Sequence, residues 1–239
     1  MADIITEVIL PSNGKLYGDN VQWKNQLRAP RLKDRGLGDS TRKLKLQASI
    51  LDKTFVQPLG MSAYDLHTAD FLYLNMKQRQ LSKGNSPYKV AVVCNACGKR
   101  HDIDIKFEDL EIKPLLEVPD LSYKMVGEED MTLELTYMTP RMVDESVEKA
   151  REFLEEYSET DLTEDDLKTQ ELLRMLIKRV NGKILSVPQM TDFIQNMLIQ
   201  DVDGIMNTVN DFDFGVQLIR EFNCDKCGKK VKFLVPTGA

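Results

Sequence analysis

The sequence predicts a mixed α+β protein in which two β-hairpins, the halves of a split zinc ribbon, flank a large and mostly helical insertion. Three observations support this: two cysteine motifs of the same form, alternating apolar residues around each motif, and helical patterns between them. The 239 residues allow one large domain or two small ones. With 42% apolar and 29% charged residues, the composition is that of an ordinary globular protein.

The two cysteine motifs are the most specific chemical signal in the chain. They read Cys94-Asn95-Ala96-Cys97-Gly98-Lys99 and Cys224-Asp225-Lys226-Cys227-Gly228-Lys229. A two-residue spacer lets both sulfurs of one turn face a common point, and two such turns supply four thiolates to one tetrahedral Zn²⁺. A glycine after the second cysteine adopts positive φ readily and lets backbone N–H groups approach the sulfurs. We therefore expect one structural zinc ion per chain, bound by Cys94, Cys97, Cys224 and Cys227.

Other roles for the cysteines agree less well with the sequence. A redox pair would begin a helix after a strand, whereas a basic, strand-like segment follows each motif. Structural disulfides are a minor alternative, because the first residues lack a secretion signal and predict a soluble protein in a reducing compartment. A catalytic zinc would need an open coordination position, which four thiolates close. His101 could compete as a ligand, although a surface or hydrogen-bonded role is favoured, and neither His101 nor His67 is assigned a function.

Alternating apolar residues predict strands on both sides of each motif. These strands cover residues 88–93 and 101–107 around the first motif, and 217–222 and 229–235 around the second. Cys97 and Cys224 lie 127 positions apart. Either the long middle segment is an insertion into the ribbon, or the ribbon clamps the two ends of a larger domain.

We predict two regions in the chain. Residues 1–60 hold an N-terminal strand and turn, a basic arm and a first helix, and residues 61–239 form a core domain. The core contains ribbon halves at 86–108 and 215–236 and a helical insertion at 138–212. Residues 18–38, rich in bases and interrupted by proline and glycine, predict an arm or long loop.

Capping and breaking residues place the helices. Asp39 or Ser40 is expected to cap a helix that extends to about Val56, and a second helix is expected at 68–81 with Gly84 closing it. A strand at 131–137 precedes the insertion. Within the insertion, Thr139 followed by Pro140 predicts a helix start, and another helix is expected from residue 163 through 180.

Charge is unevenly distributed along a chain of net charge -6. Residues 24–53 contain nine bases and three acids, whereas residues 144–166 contain eleven acids and two bases. These segments are either two solvated faces or complementary surfaces that dock within the chain or between subunits. The net negative charge argues against a dedicated duplex-DNA-binding protein.

No enzyme or membrane signature is found in the sequence. Glycine-rich phosphate loops, the nucleophile elbow and the dinucleotide fingerprint are all missing. The longest apolar run, at residues 90–94, is far shorter than the ~20 residues that cross a bilayer. We therefore expect a protein that is not an enzyme, has no small-molecule substrate and does not associate with membranes.

Several short motifs occur along the chain in a specific order. The opening segment Leu10-Pro11-Ser12-Asn13-Gly14-Lys15-Leu16-Tyr17 has the pattern Leu-Pro-Ser-x-Gly-x-x-Tyr. The segment Asp70-Phe71-Leu72-Tyr73-Leu74-Asn75-Met76-Lys77 follows, before Gly84, Tyr88 and the first cysteine pair. Asp201-x-x-x-Ile205 and Phe214-Gly215 then lead to the second pair. In pattern and order these motifs resemble one family, the baseplate hub and hub-assembly proteins of T-even-type contractile-tailed bacteriophages.

The resemblance implies a non-enzymatic structural or assembly component of the tail baseplate, in its hub region. Its partners would be other baseplate, hub and tail proteins, and it would be found in the virion and, during assembly, in the host cytoplasm. The alternative function is a zinc-ribbon adaptor that binds nucleic acid or RNA polymerase, suggested by the basic segment and the lysine-rich cysteine motifs. Its weakness is the lack of aromatic residues interleaved with bases on the ribbon strands.

Overall fold

The computed structural model describes residues 4–34, 42–128, 130–157 and 161–237. Within these ranges it contains six α-helices and several small antiparallel sheets, which confirms the predicted α+β class. In chain order the elements are β1 (Ile5–Ile9), β2 (Lys24–Arg28), α1 (Lys43–Thr54), α2 (Thr68–Lys83), β3 (Tyr88–Val93), β4 (Arg100–Ile105), β5 (Ile112–Lys113), β6 (Ser122–Lys124), β7 (Thr132–Leu135), α3 (Pro140–Glu156), α4 (Glu164–Leu176), β8 (Ile177–Val180), α5 (Val187–Gln195), α6 (Ile199–Asn210), β9 (Gly215–Val216), β10 (Ile219–Asn223) and β11 (Lys230–Leu234).

A first core cluster joins the N-terminal elements to the bases of both cysteine-bearing hairpins. The hairpin β1–β2 packs with α1 and α2 through fully buried side chains such as Leu27, Leu51 and Leu74. Tyr88 at the start of β3 and Val235 just after β11 belong to the same cluster. The cluster therefore contains residues from both sides of residue 60, and the division of the chain at that point stays a prediction.

The prediction of an arm or loop at residues 18–38 is wrong for β2, which pairs antiparallel with β1. Leu27 is buried, whereas its neighbour Gln26 is exposed and Arg28 is partly exposed. One buried residue among charged and amide side chains gives little apolar alternation, so the strand signal is weak in sequence. Asp39 and Ser40, the expected caps of α1, lie outside the described residues.

A second core cluster is formed by β6–β7–β8, α4, α5 and α6, around buried residues that include Leu133, Leu173 and Ile205. The predicted helix through Val180 is wrong at its end, because α4 stops at Leu176 and the chain continues as β8. This strand pairs with β7, and the backbone N–H of Thr136 donates to the carbonyl of Leu176 at the junction.

Residues at the start of α1 form polar contacts with acidic residues of α3. Arg42, just before α1, forms a bidentate pair with Glu148 of α3, with one N–O distance of 3.0 Å. The backbone N–H of Lys45 and the hydroxyl of Tyr64 both donate to Asp144. Part of the basic segment thus docks on part of the acidic segment within the chain, one of the alternatives that the charge pattern allowed.

A buried carboxylate attaches the N-terminal turn to α2. Asp70 accepts the backbone N–H of Ser12 at 3.0 Å and the hydroxyl of Tyr17 at 2.7 Å, and Tyr17 in turn accepts the N–H of His67. Burial, opposed by the hydrogen bonds from Ser12 and Tyr17, raises the pKa of Asp70. The opening motif of the chain therefore has a packing role in this fold.

Candidate metal centre

Each cysteine pair lies at the tip of a two-stranded antiparallel hairpin. In the first hairpin β3 pairs with β4, with Val93 opposite Arg100 at the end next to the turn. In the second, β10 pairs with β11, with Asn223 opposite Lys230. The strands lie within one to two residues of their predicted positions, because the alternation on both sides of each turn is undisturbed.

The two turns have nearly the same backbone geometry. Gly98 N–H donates to the Cys94 carbonyl at 2.8 Å, and Gly228 N–H donates to the Cys224 carbonyl at 2.7 Å. Both glycines have positive φ, +70° and +68°, a conformation that other residues adopt at a cost. The glycine in each motif is therefore required by the turn that presents the sulfurs.

The structure brings all four predicted cysteines together despite their separation along the chain. The Sγ atoms of Cys94 and Cys227 are 3.7 Å apart, those of Cys97 and Cys224 are 3.6 Å apart, and all four sulfurs lie within 4.8 Å of one another. A tetrahedral zinc with Zn–S bonds of about 2.3 Å requires S–S edges of about 3.8 Å. The four sulfurs therefore match the ligand set of one tetrahedral ion, and their separations are too long for disulfide bonds.

The ionisation of the thiols also favours a cation at this position. Backbone N–H groups of Ala96 and Cys97, against partial desolvation, lower the pKa of Cys94 to about 7. The N–H of Lys229 favours the thiolate of Cys227, but desolvation and the three nearby sulfurs outweigh it and raise the pKa of Cys227 to about 12. Holding all four sulfurs as thiolates at these distances would need a compensating positive charge, which a divalent ion would supply.

Burial of the cluster is unequal. Cys94 and Cys224 are each 1% exposed and pack against Val92 and Val231, whereas Cys227 is open to solvent. The apolar side chains beneath the turns continue into the first core cluster, so the sulfurs are positioned by packed β-strands and not by loops alone.

Two residues of the first hairpin support the second cysteine turn, which the sequence reasoning did not foresee. Lys99 Nζ lies 2.6 Å from a carboxylate oxygen of Asp225. His101 Nε2 lies 3.4 Å from the sulfur of Cys224, within hydrogen-bond distance. The only sequence signal for the ion pair was the acidic residue at 225 where the first motif has Asn95.

The other histidine, His67, has a different environment and does not belong to the cysteine cluster. His67 caps α2 by accepting the N–H of Ala69 and packs against the rings of Phe212 and Phe214. Burial lowers the pKa of His67 to about 4, so it is neutral near pH 7. His67 is 4% exposed and therefore belongs to the core.

Comparison with known proteins identifies the family. A family model described as T4 bacteriophage base plate protein matches residues 1–238. The chain belongs to this family. Searches of curated proteins and of solved structures gave no match.

Membership of the base plate family agrees with the motif order seen in the sequence. It implies that this chain is a phage tail component. The motifs that carried the resemblance have identifiable places in the fold: Ser12 and Tyr17 on Asp70, and the cysteine pairs at the hairpin tips. Among the described residues, none of the helices is both long and apolar enough to span a bilayer.

Proposed function

We propose that the chain is a non-enzymatic structural or assembly component of the hub region of a contractile-tail baseplate, where it docks to other tail proteins. The match of the base plate family over residues 1–238 is the observation that carries the proposal. The lack of any catalytic motif in the sequence supports a building or assembly role.

We further propose that Cys94, Cys97, Cys224 and Cys227 hold one structural Zn²⁺ and form a split zinc ribbon. The sulfur separations and the paired turns support this, and four thiolates leave no open position for catalysis. In this arrangement residues 138–212 are an insertion between the ribbon halves. The ion would join two hairpins that also meet through apolar contacts, the Lys99–Asp225 ion pair and the contact of His101 with Cys224.

Exposed apolar residues beside a surface groove support the proposal that the chain binds other proteins. Leu116 is 76% exposed and, with Val118, follows the buried Leu115 in a loop beside a groove of about 300 Å³. Phe212 lines this groove, and Lys15 Nζ bonds the carbonyl of Leu116. Exposed aliphatic residues gathered at a groove are typical of protein-binding surfaces. Nucleic acid, membranes and small-molecule substrates are not expected partners.

The metal part of the proposal is tested by elemental analysis of the full chain purified under reducing conditions. One zinc per chain is expected, with all four thiols protected from alkylation until a chelator is added. A metal-free protein whose thiols react at once would contradict the site.

The assembly part is tested by mixing the purified chain with the hub proteins of the same phage and by mass spectrometry of virions. Formation of a complex supports the proposal, and the virion analysis decides between a retained subunit and an assembly factor. Phage carrying Cys94→Ser is expected to form fewer baseplates, with Asn95→Ala, an exposed change in the same turn, as the matched control. Tight nucleic-acid binding that falls steeply with salt, without binding to hub proteins, would favour the adaptor.

A further inference from the structure

The two cysteine turns have nearly the same backbone conformation but differ in their side chains. Both sulfurs at the first cysteine position have the same local donors: Ala96 and Cys97 N–H for Cys94, and Lys226 and Cys227 N–H for Cys224. Between residues 94–101 and 224–231 the sequence differs at four positions, which include Asn95 against Asp225 and His101 against Val231. Apart from the sulfur–sulfur contacts, the described polar contacts between the turns involve Asp225 and His101.

His101 extends from β4 of the first hairpin to the second turn. Its side chain is 13% exposed and its ring centroid lies 4.8 Å from that of Phe222. From this position Nε2 faces the Cys224 sulfur at 3.4 Å and Nδ1 lies 3.8 Å from an Asp225 oxygen. The equivalent residue of the second hairpin is Val231, an apolar side chain that offers no polar atom to the first turn.

Lys99 is placed in the same direction. Its Nζ lies 2.6 Å from an Asp225 oxygen, and this ion pair joins the two turns. Lys229 occupies the equivalent position after the second turn, yet Asn95 gives it no carboxylate to pair with, and the described part of the chain shows no ion pair for it.

We propose that the first hairpin supports the ion with two side chains in addition to its cysteines. His101 positions the Cys224 thiolate, and Lys99 offsets the negative charge of the cluster and fixes Asp225. The second hairpin provides no equivalent support to the first turn. This inference rests on the proposed metal site. Hydrogen bonds from outside the ligand shell orient the ligands, and losing one typically lowers metal affinity 10–100-fold. The support is thus concentrated at one turn although the four ligands are chemically alike.

The test measures the rate at which the full chain, loaded with Zn²⁺, transfers its ion to a chromogenic chelator. His101→Val, which copies the second hairpin, is expected to release zinc about 10-fold faster or more. His101→Gln, which can still donate an N–H, should restore most of the retention. Lys99→Met should accelerate release by a few-fold at low salt, and less at high salt, because its side chain is 38% exposed and its charge is screened.

Lys229→Met is the matched control, since it removes the same charge at the equivalent position of the second turn. Release at the wild-type rate is expected for it. The inference is overturned if Lys229→Met accelerates release as much as Lys99→Met, or if His101→Val releases zinc at the wild-type rate.

Cobalt substitution separates this inference from the metal site itself. Wild-type protein is expected to bind one Co²⁺ with the absorption of a four-thiolate site, and His101→Val should keep that spectrum because His101 is not a ligand. A wild-type chain that binds no ion contradicts the proposed function. A wild-type chain that binds one ion, with unchanged release in the variants, contradicts only the supporting roles. Circular dichroism and Trp23 fluorescence confirm that each variant is folded.

Discussion

The number of ions that stabilise the fold can be read from the dependence of stability on free zinc. The four sulfurs form one cluster with all separations within 4.8 Å, so the structure has room for one tetrahedral ion there. For one ion that binds the native state alone, each tenfold rise in free Zn²⁺ above the dissociation constant adds about 1.4 kcal/mol to the free energy of unfolding. In a chain of this size, about 1.4 kcal/mol raises the unfolding midpoint by roughly 3–6 °C.

The experiment follows thermal unfolding by circular dichroism in chelator-buffered zinc under reducing conditions. The fluorescence of Trp23, the single tryptophan, reports the first core cluster, against which the bases of both hairpins pack. Cys224→Ser removes a buried ligand and is expected to abolish the zinc dependence, whereas Asn95→Ala, in an exposed position, should keep it. A midpoint that does not respond to zinc, or a response near 2.8 kcal/mol per decade that signals two ions, would refute the single closed site.

Three further changes test the packing that places the site. Asp70→Ala leaves two buried donors without an acceptor and should cost about 2–4 kcal/mol in urea unfolding, whereas Asp70→Asn keeps an acceptor and should cost less. Burial lowers the pKa of His67 to about 4. As pH falls from 6.5 towards 4, the unfolded state therefore binds a proton at this residue before the native state does, and about 3 kcal/mol of the free energy of unfolding is lost in that window. His67→Asn, which keeps a cap, should flatten this part of the plot of stability against pH. Gly204→Ala would bring a Cβ into the ring and hydroxyl of Tyr123 and should lower the unfolding midpoint, since Tyr123 is held by Asp201 at 3.0 Å; an unchanged midpoint would contradict the close packing.

The cysteine cluster was predictable because its signal is local and repeated. Each turn needs two cysteines, a glycine and alternating strands within about a dozen residues, and both turns contain all of them. The sequence also indicated the start of α3 through Thr139 and Pro140, where the Thr139 hydroxyl accepts the N–H of Met142 as a cap. Features of this kind depend on neighbours in sequence and need no knowledge of the fold.

The strands β2 and β8 could not be found in the same way. Ile177 and Val180 continue the apolar spacing of α4, and only pairing with β7 turns them into a strand. Leu27 is the single fully buried residue of β2, so its alternation is masked by Lys24 and Arg28. In both strands tertiary contacts decide between conformations that the local sequence leaves nearly equal.

Long-range polar contacts were equally hidden. The charge pattern allowed the basic and acidic segments to meet, but it could not choose Arg42 and Glu148 among the 25 charged residues of the two segments. Asp201 is a similar case: the sequence shows it only as part of a motif, whereas its buried carboxylate accepts the N–H groups of Val126 and Gly127. Such pairs depend on how the helices are brought together, which composition does not encode.

The proposed ion and the opening motif are expected to have separate tasks, because both ends of the proposed insertion, residues 138–212, lie near the start of α2. At one end the carbonyl of Met138 accepts the N–H of Thr68, and at the other the ring of Phe212 lies 4.6 Å from that of His67. Both ends are therefore held at the start of α2, beside Asp70 and the turn that it binds, and not at the sulfurs. Removing the ion should accordingly loosen the hairpins first, while Asp70→Ala should disturb the junction of the two core clusters. Amide hydrogen exchange of the metal-free chain would distinguish these tasks, with early loss of protection expected in β10–β11 and retention at the start of α2.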